Sequence, residues 1–201
     1  MKIGGYQPAS FIDYPGRVAA VIFTQGCNFR CPYCHNAELI ATDRPALYDQ
    51  EEIIARLALR RGKLGGVVIS GGEPTLQEEL LPFCRRLREL GLAVKLDTNG
   101  SRPEVLAELL AAGVVDYIAM DLKAPLKRYR QLAGVAVAAE TIHRSSRLIA
   151  AGGIPHHFRT TNFTTLLGPD DLAAIRREVP AGSVHKVQPC KEVLVKPDFI
   201  A

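Results

Sequence analysis

Aromatic residues are scarce in this chain: they make up 6% of its 201 residues, and none is tryptophan. A single-strand nucleic-acid platform needs bases stacked on aromatic rings interleaved with basic residues, so that class is not expected. No apolar run approaches the roughly 18 residues of a membrane span. The first residues, Met1-Lys2-Ile3-Gly4-Gly5-Tyr6, lack the apolar stretch of a secretory signal. Excess charge is missing too, with a formal net charge of +4. The basic clusters, Arg56, Arg60, Arg61 and Lys63, then Arg85, Arg86 and Arg88, lie beside apolar stripes, as solvated helix faces do. Neither nucleic acid nor a membrane is expected as a partner. Cysteine is low and odd in number, five residues with three packed together, which suits no disulfide framework. A reduced, cytoplasmic protein is expected, with residues 1–201 forming one domain around a substantial core.

What is present is concentrated in one loop. Cys27, Cys31 and Cys34 form a C-x3-C-x2-C run, Cys27-Asn28-Phe29-Arg30-Cys31-Pro32-Tyr33-Cys34. Thiolates this close can wrap only a small inorganic centre, and they are one short of the number that closes an iron–sulfur cubane. A centre held by three cysteines keeps an open metal position, where chemistry rather than structure takes place. Other readings compete for the same residues. Cys31-Pro32-Tyr33-Cys34 alone is a thioredoxin- or glutaredoxin-like pair, and Cys31 to His35 spells the haem-attachment string. Cys27, Cys31, Cys34 and His35 could close a structural zinc site. Against these, the redox pair leaves Cys27 idle, haem attachment calls for an exported chain, and zinc usually draws a second ligand pair from a separate segment. Cys84 belongs to an apolar helical stripe and reads as core. Cys190 follows the last predicted strand and reads as an inert thiol.

Apolar and β-branched runs at Val18–Thr24, Val67–Ser70, Ala93–Asp97, Tyr117–Asp121, His157–Asn162 and Val184–Gln188 predict six strands. Amphipathic stretches separate them. Gln50–Arg61 places Ile53, Ile54, Leu57 and Ala58 on one face, and Glu78–Leu90 gathers Leu80, Phe83, Cys84, Leu87 and Leu90. Pro103 marks a helix start with Gly113 just past its end, Gly152-Gly153 closes a helix from about Glu140, and Pro169-Asp170-Asp171 opens the last. Strands alternating with helices imply an α/β fold with a parallel sheet. Periodicity leaves open whether that sheet is doubly wound or curved into a partial barrel, whereas a full barrel would typically need about 250 residues. In either case chemistry belongs at the C-terminal strand ends. The unusual motifs all fall there: the cysteine loop after the first strand, Gly71-Gly72-Glu73-Pro74 after the second, Asp97-Thr98-Asn99-Gly100 at the third, Asp121-Leu122-Lys123 at the fourth, and Arg159 in the fifth.

Gly71-Gly72 permits close backbone approach, to a ligand or merely within a turn. Asp97 and Asn99 can bind an ammonium or hydroxyls, or can simply shape the Asn-Gly turn. Lys123 and Arg159 suit an anion, or an ion pair with Asp121 or Asp97.

Taken together, the cysteine run with its setting Thr24-Gln25-Gly26-Cys27 and the Gly71-Gly72-Glu73-Pro74 motif resemble the radical S-adenosylmethionine (SAM) family. That resemblance implies a partial (βα)6 barrel open on one side, with a cluster loop at 25–36. It also implies a [4Fe-4S] cluster on Cys27, Cys31 and Cys34 whose open iron takes the amino and carboxylate groups of SAM. The Gly71-Gly72-Glu73 backbone would meet the methionine amino group, Asp97, Asn99, Lys123 and Arg159 would complete the SAM contacts, and Tyr33 with His35 would flank the adenine. Residues 3 to about 162, through Phe11-Ile12-Asp13-Tyr14-Pro15-Gly16-Arg17 and Cys34-His35-Asn36, are similar to the branch that activates anaerobic ribonucleoside-triphosphate reductase. They are more loosely similar to pyruvate formate-lyase activases. This branch implies a glycyl-radical enzyme as partner and a one-electron donor such as flavodoxin or ferredoxin. Two departures stand out. Val187-Gln188-Pro189-Cys190-Lys191 has no counterpart of the SAM-binding histidine of formate-lyase activases, and the cysteines of a second, ferredoxin-like cluster domain are missing. A radical SAM enzyme acting on a small molecule would share every motif, while a non-catalytic metal or electron-transfer module would need neither Gly-Gly-Glu-Pro nor Lys123.

Overall fold

The computed structural model describes residues 1–190; Lys191, at the end of the histidine-free stretch, lies outside the described residues. All six predicted strands form, within about a residue of their expected bounds. They are β2 (Ala19–Thr24), β3 (Gly66–Gly71), β4 (Ala93–Thr98), β5 (Tyr117–Asp121), β6 (His156–Asn162) and β7 (His185–Pro189), paired in parallel in that order. A seventh strand, β1 (Ile3–Ser10), corrects the expectation of six. It pairs antiparallel to β2, from Ile3 opposite Thr24 to Ser10 opposite Ala19, with two register shifts. As an edge strand it accommodates Gly4, Gly5 and Pro8, which would weaken a central one.

The helices are α1 (Gln50–Ala58), α2 (Leu80–Glu89), α3 (Pro103–Ala111), α4 (Tyr129–Ala133), α5 (Ala139–Ala151) and α6 (Pro169–Glu178). Asp49 caps α1 by accepting from the amides of Glu51 and Glu52 at 2.8 and 3.1 Å, an arrangement worth about 1 kcal/mol. The short α4 was not expected, because its five residues are too few to show a period. Among the described residues no helix is long and apolar enough to cross a membrane.

Strand alternation now decides the architecture that periodicity left open. Ala20, Ile22, Val67, Ile69, Val94, Leu96, Ile118, Met120 and Phe158 share one apolar cluster with residues of every long helix, among them Leu57, Phe83, Leu106, Ile149 and Ile175. The alternate residues Ala19, Val21, Val68 and Ala93 point the other way, against Tyr14, Phe23 and Tyr117. A doubly wound sheet would carry helices on both faces. Here they lie on one, so the sheet curves around its bare face as a partial barrel that does not close.

Candidate active site

The cysteine loop leaves β2 at Thr24 and is clamped at its neck, where Gly26 and Cys27 donate to the carbonyls of Leu39 and Ile40 at 2.8 and 3.0 Å. The end of β3 lies directly against it. Gly72 donates to Thr24 O at 2.9 Å and Glu73 to Gly26 O at 2.8 Å. A Cβ on Gly72 would fall 2.1 Å from Gly26 O, and one on Gly71, whose φ is +107°, 2.4 Å from Thr24 N. The close approach that the Gly-Gly pair permits is therefore between β3 and the cysteine loop itself. The amides are engaged there; acceptance from an ammonium would fall to carbonyls.

Glu73 is wholly buried, and its carboxylate accepts from Thr75 N (3.1 Å), Thr75 Oγ1 (2.5 Å), Thr98 Oγ1 (2.7 Å) and Asn99 N (2.6 Å). Burial pushes its pKa up, and those donors oppose the rise. Its side chain ties the end of β3 to the end of β4. Asn99 is also engaged: Oδ1 accepts from Ser101 N at 2.9 Å, and Nδ2 donates to Asn28 Oδ1 at 2.9 Å. Asn28 completes the clasp by donating to Ser101 Oγ at 2.8 Å. Sequence reasoning missed Asn28, whose one signal was its place inside the cysteine run. On the far side Arg30 N donates to Ala133 O at 2.8 Å, and Phe29 meets Tyr129 edge-on at 6.4 Å. The loop is thus held from β3, β4 and α4 at once.

Every residue expected to hold the cluster or SAM lines one cavity of about 160 Å³ at the C-terminal strand ends: Cys27, Cys31, Cys34, Tyr33, His35, Gly71, Gly72, Glu73, Asp97, Asn99, Lys123 and Arg159. The space exceeds by roughly tenfold what one water requires. Cys27, Cys31 and Cys34 form no disulfide. Burial pushes the Cys27 thiol up to about 11 and the Cys31 thiol to about 12, while the nearby Lys123 ammonium pulls both down. Metal binding would have to expel those protons, since the thiolate is the ligand. Cys27 Sγ accepts from Phe29 N at 3.4 Å. Among the described residues no three His, Cys, Asp or Glu side chains converge on a single ion. Cubane thiolates need not do so, because each binds a separate iron. Three cysteines lining one cavity with a cation close by suit a thiolate-held cluster.

Near the cysteines runs a row of alternating charge. Lys95 pairs with Asp97, whose Oδ2 also lies 3.4 Å from Arg159 Nη1 and accepts from Ser70 Oγ at 3.4 Å. Arg159 Nε donates to Asp121 Oδ1 at 2.7 Å, and Lys123 Nζ to Asp121 Oδ2 at 2.7 Å. Burial opposes ionisation of Asp121, but the two flanking cations win and hold its carboxyl well below the usual range. The same pairing raises Lys123 against its own desolvation, and raises Arg159. Three cations thus face two carboxylates across β4, β5 and β6. The ion pairs that sequence reasoning weighed for Lys123 and Arg159 do form, and both side chains still border the cavity. Lys95 was missed, because a lone lysine in an apolar strand carries no motif.

Tyr33 stacks on Phe163 at 5.6 Å with planes 28° apart, and its buried hydroxyl has no hydrogen-bond partner among the described residues. His35 is exposed at the cavity rim. Cys84 is buried in the helix-side core as expected. Cys190 is half-buried against that core, its amide donating to Asn162 O at 3.1 Å.

Comparison with known proteins follows the same lines. The sequence pattern of the Radical SAM superfamily matches residues 21–177. A protein of Methanocaldococcus jannaschii, provisionally named glycyl-radical enzyme activating enzyme, is 32% identical over 191 residues, covering 92% of this chain and 78% of its own. A provisionally named GTP 3′,8-cyclase of Pyrococcus horikoshii is 33% identical over 123 residues, covering 61% of this chain and 39% of its own. Pyruvate formate-lyase 1-activating enzyme of Escherichia coli is 33% identical over 130 residues, or 61% of this chain and 52% of its own. The chain therefore spans about half or less of the last two. Among solved structures, Streptococcus suis SuiB bound to S-adenosylmethionine superposes with a TM-score of 0.66 at 19% identity, over 87% of this chain and 41% of that one.

Proposed function

The chain belongs to the radical SAM superfamily, and on that premise we propose that it is an activase that installs a glycyl radical on a partner enzyme, anaerobic ribonucleoside-triphosphate reductase. The observation that carries the SAM-cleaving site is the convergence of three cysteines, the Gly-Gly-Glu-Pro turn and charged residues on one cavity. The similarity to a provisionally named activating enzyme along nearly the whole chain supports the choice of partner class.

When bound, a reduced [4Fe-4S] cluster with SAM supplies the electron that splits the sulfonium, giving methionine and a 5′-deoxyadenosyl radical able to take a hydrogen atom from a glycine α-carbon. The protein's part is binding, alignment and exclusion of water. Cys27, Cys31 and Cys34 would hold the cluster, and three ligands would leave an open position for the amino acid end of SAM. The carbonyls at Gly71-Gly72 accept from its ammonium. Lys123 and Arg159, already adjacent, take its carboxylate. Tyr33 and His35 flank the adenine, Tyr33 offering a buried hydroxyl that lacks a partner among the described residues. Asn99 and Glu73 act by fixing the cysteine loop against the strand ends. Residues 1–201 work as one cytoplasmic domain with a flavodoxin or ferredoxin as donor.

The test is anaerobic reconstitution with iron and sulfide, reduction with dithionite, and assay for 5′-deoxyadenosine. Electron paramagnetic resonance then follows each of two partners, anaerobic ribonucleotide reductase and pyruvate formate-lyase. A glycyl doublet on the reductase is the expected result. A doublet only on the lyase moves the partner. The partial similarity to a provisionally named GTP cyclase makes turnover of GTP the observation that would replace protein activation with small-molecule chemistry.

A further inference from the structure

We propose that Lys95 is a positioning residue for SAM: by neutralising Asp97 it limits the hold of that carboxylate on Arg159, whose outer guanidinium nitrogens are then left for the SAM carboxylate. The inference rests on the assignment of SAM to this cavity. Lys95 is 2% exposed and stands two residues before Asp97 on β4, on the bare face of the sheet. It does not border the cavity, so whatever it does there it does through Asp97.

The geometry divides the two carboxylates between the cations unequally. Asp97 Oδ1 is held by Lys95, while the contacts of Asp97 Oδ2, to Arg159 Nη1 and to Ser70 Oγ, are both long at 3.4 Å. Arg159 makes its short bond to Asp121 instead, at 2.7 Å. Lys95 is thus the cation that chiefly balances Asp97. Without it, a nearly buried carboxylate would have a weak hydroxyl contact and the Arg159 guanidinium. A buried charge does not stay unpaired if a neighbour can turn to it. Arg159 would be drawn towards Asp97 and away from the cavity, where an incoming carboxylate needs its planar fork. The expected loss is therefore in affinity for SAM, with cluster assembly retained and the bound complex reacting normally.

The experiment measures SAM dissociation constants by equilibrium dialysis on the reconstituted, unreduced protein, so that no turnover enters, alongside iron content and circular dichroism. Lys95→Met is expected to keep its iron and bind SAM about tenfold more weakly, the size of coupling seen between neighbouring charges. Lys95→Ala is expected to lose affinity similarly and to recover it in propylammonium, the fragment removed, but not in tetramethylammonium at equal ionic strength. A purely packing role would give no such difference between the two cations. Wild-type affinity in both variants would overturn the inference and leave the proposed function standing. Loss that propylammonium fails to reverse, whether or not the fold or the iron goes with it, would overturn it as well. Failure of the wild-type protein itself to bind SAM would overturn the proposed function, and Lys95's role with it.

Discussion

The two faces of this sheet are buried by different means. On the helix side, Ile22, Ile69, Leu96, Met120 and Phe158 are covered by apolar side chains and need no partner. On the bare side, at the same strand ends, Lys95, Asp97, Asp121 and Arg159 lie largely out of water and persist because each faces an opposite charge. Apolar burial stabilises whatever its neighbours are, at roughly 25 cal/mol per Å². A buried ion pair often does no better than a hydrophobic pair of the same volume, and removing one member is costly. Ions kept there at little net gain in stability mark the face where function is to be sought.

Breaking each face separately sharpens the contrast. The largest effect is expected at the rim of the bare face, where Cys27→Ala, Cys31→Ala or Cys34→Ala abolishes cluster assembly; a variant that retains full iron after anaerobic reconstitution would remove that cysteine from the ligand set. Next comes the helix side. Phe83→Ala should lower unfolding free energy by about 3–5 kcal/mol, read from denaturant midpoints, with unchanged SAM affinity in the molecules that remain folded. Should that affinity fall too, the two faces are not separable. Lys123→Ala should act on the site itself, leaving iron content intact in the folded protein and weakening SAM binding by about tenfold, as removal of one charge-assisted contact does. Unchanged binding would take Lys123 out of the site.

A smaller effect is expected from pH, at the lower part of the bare face. His157 donates to or accepts from Tyr117 at 2.9 Å, and burial, then Lys186, Lys95 and Arg159, lower its pKa to about 4. The unfolded chain, near the model-peptide value, binds the proton first as pH falls, so stability declines from about pH 6.5 towards pH 4 and is complete above that window. In His157→Gln that slope should flatten; an identical pH profile would show that His157 does not set it. Least of all is expected from Cys190→Ser, with iron content and 5′-deoxyadenosine yield as in wild type. A loss of either would bring that thiol into the site.

Much of this was legible before the fold was known, for identifiable reasons. Val67–Ser70 or Ala93–Asp97 can be read as strands because β-branched and apolar runs are short and end in turn residues. Gly113 and Gly153 mark helix ends because both adopt positive φ, at +62° and +69°. β1 escaped because its glycines and Pro8 contradict a strand pattern that an edge position tolerates. The side-chain work of Glu73 and Asn99 escaped because their partners, Thr75, Thr98, Asn28 and Ser101, become neighbours only when β3, β4 and the cysteine loop meet.

The sequence by itself determined the alternation of strands and helices, the cysteine spacing, and the placing of each motif at a strand end, since these depend on local order along the chain. It could not determine which face of the sheet the helices cover, because the helix-side residues and their alternates, Ile22 and Val21 or Leu96 and Lys95, follow one another in every strand. That choice is made when crossovers of one hand lay all the helices on one side. Only then does Arg159 reach Asp97 and Asp121, 62 and 38 residues back, and join the local pairs Lys95–Asp97 and Lys123–Asp121 into one row. Charges that far apart in the chain pair through space, and the space exists only in the folded barrel.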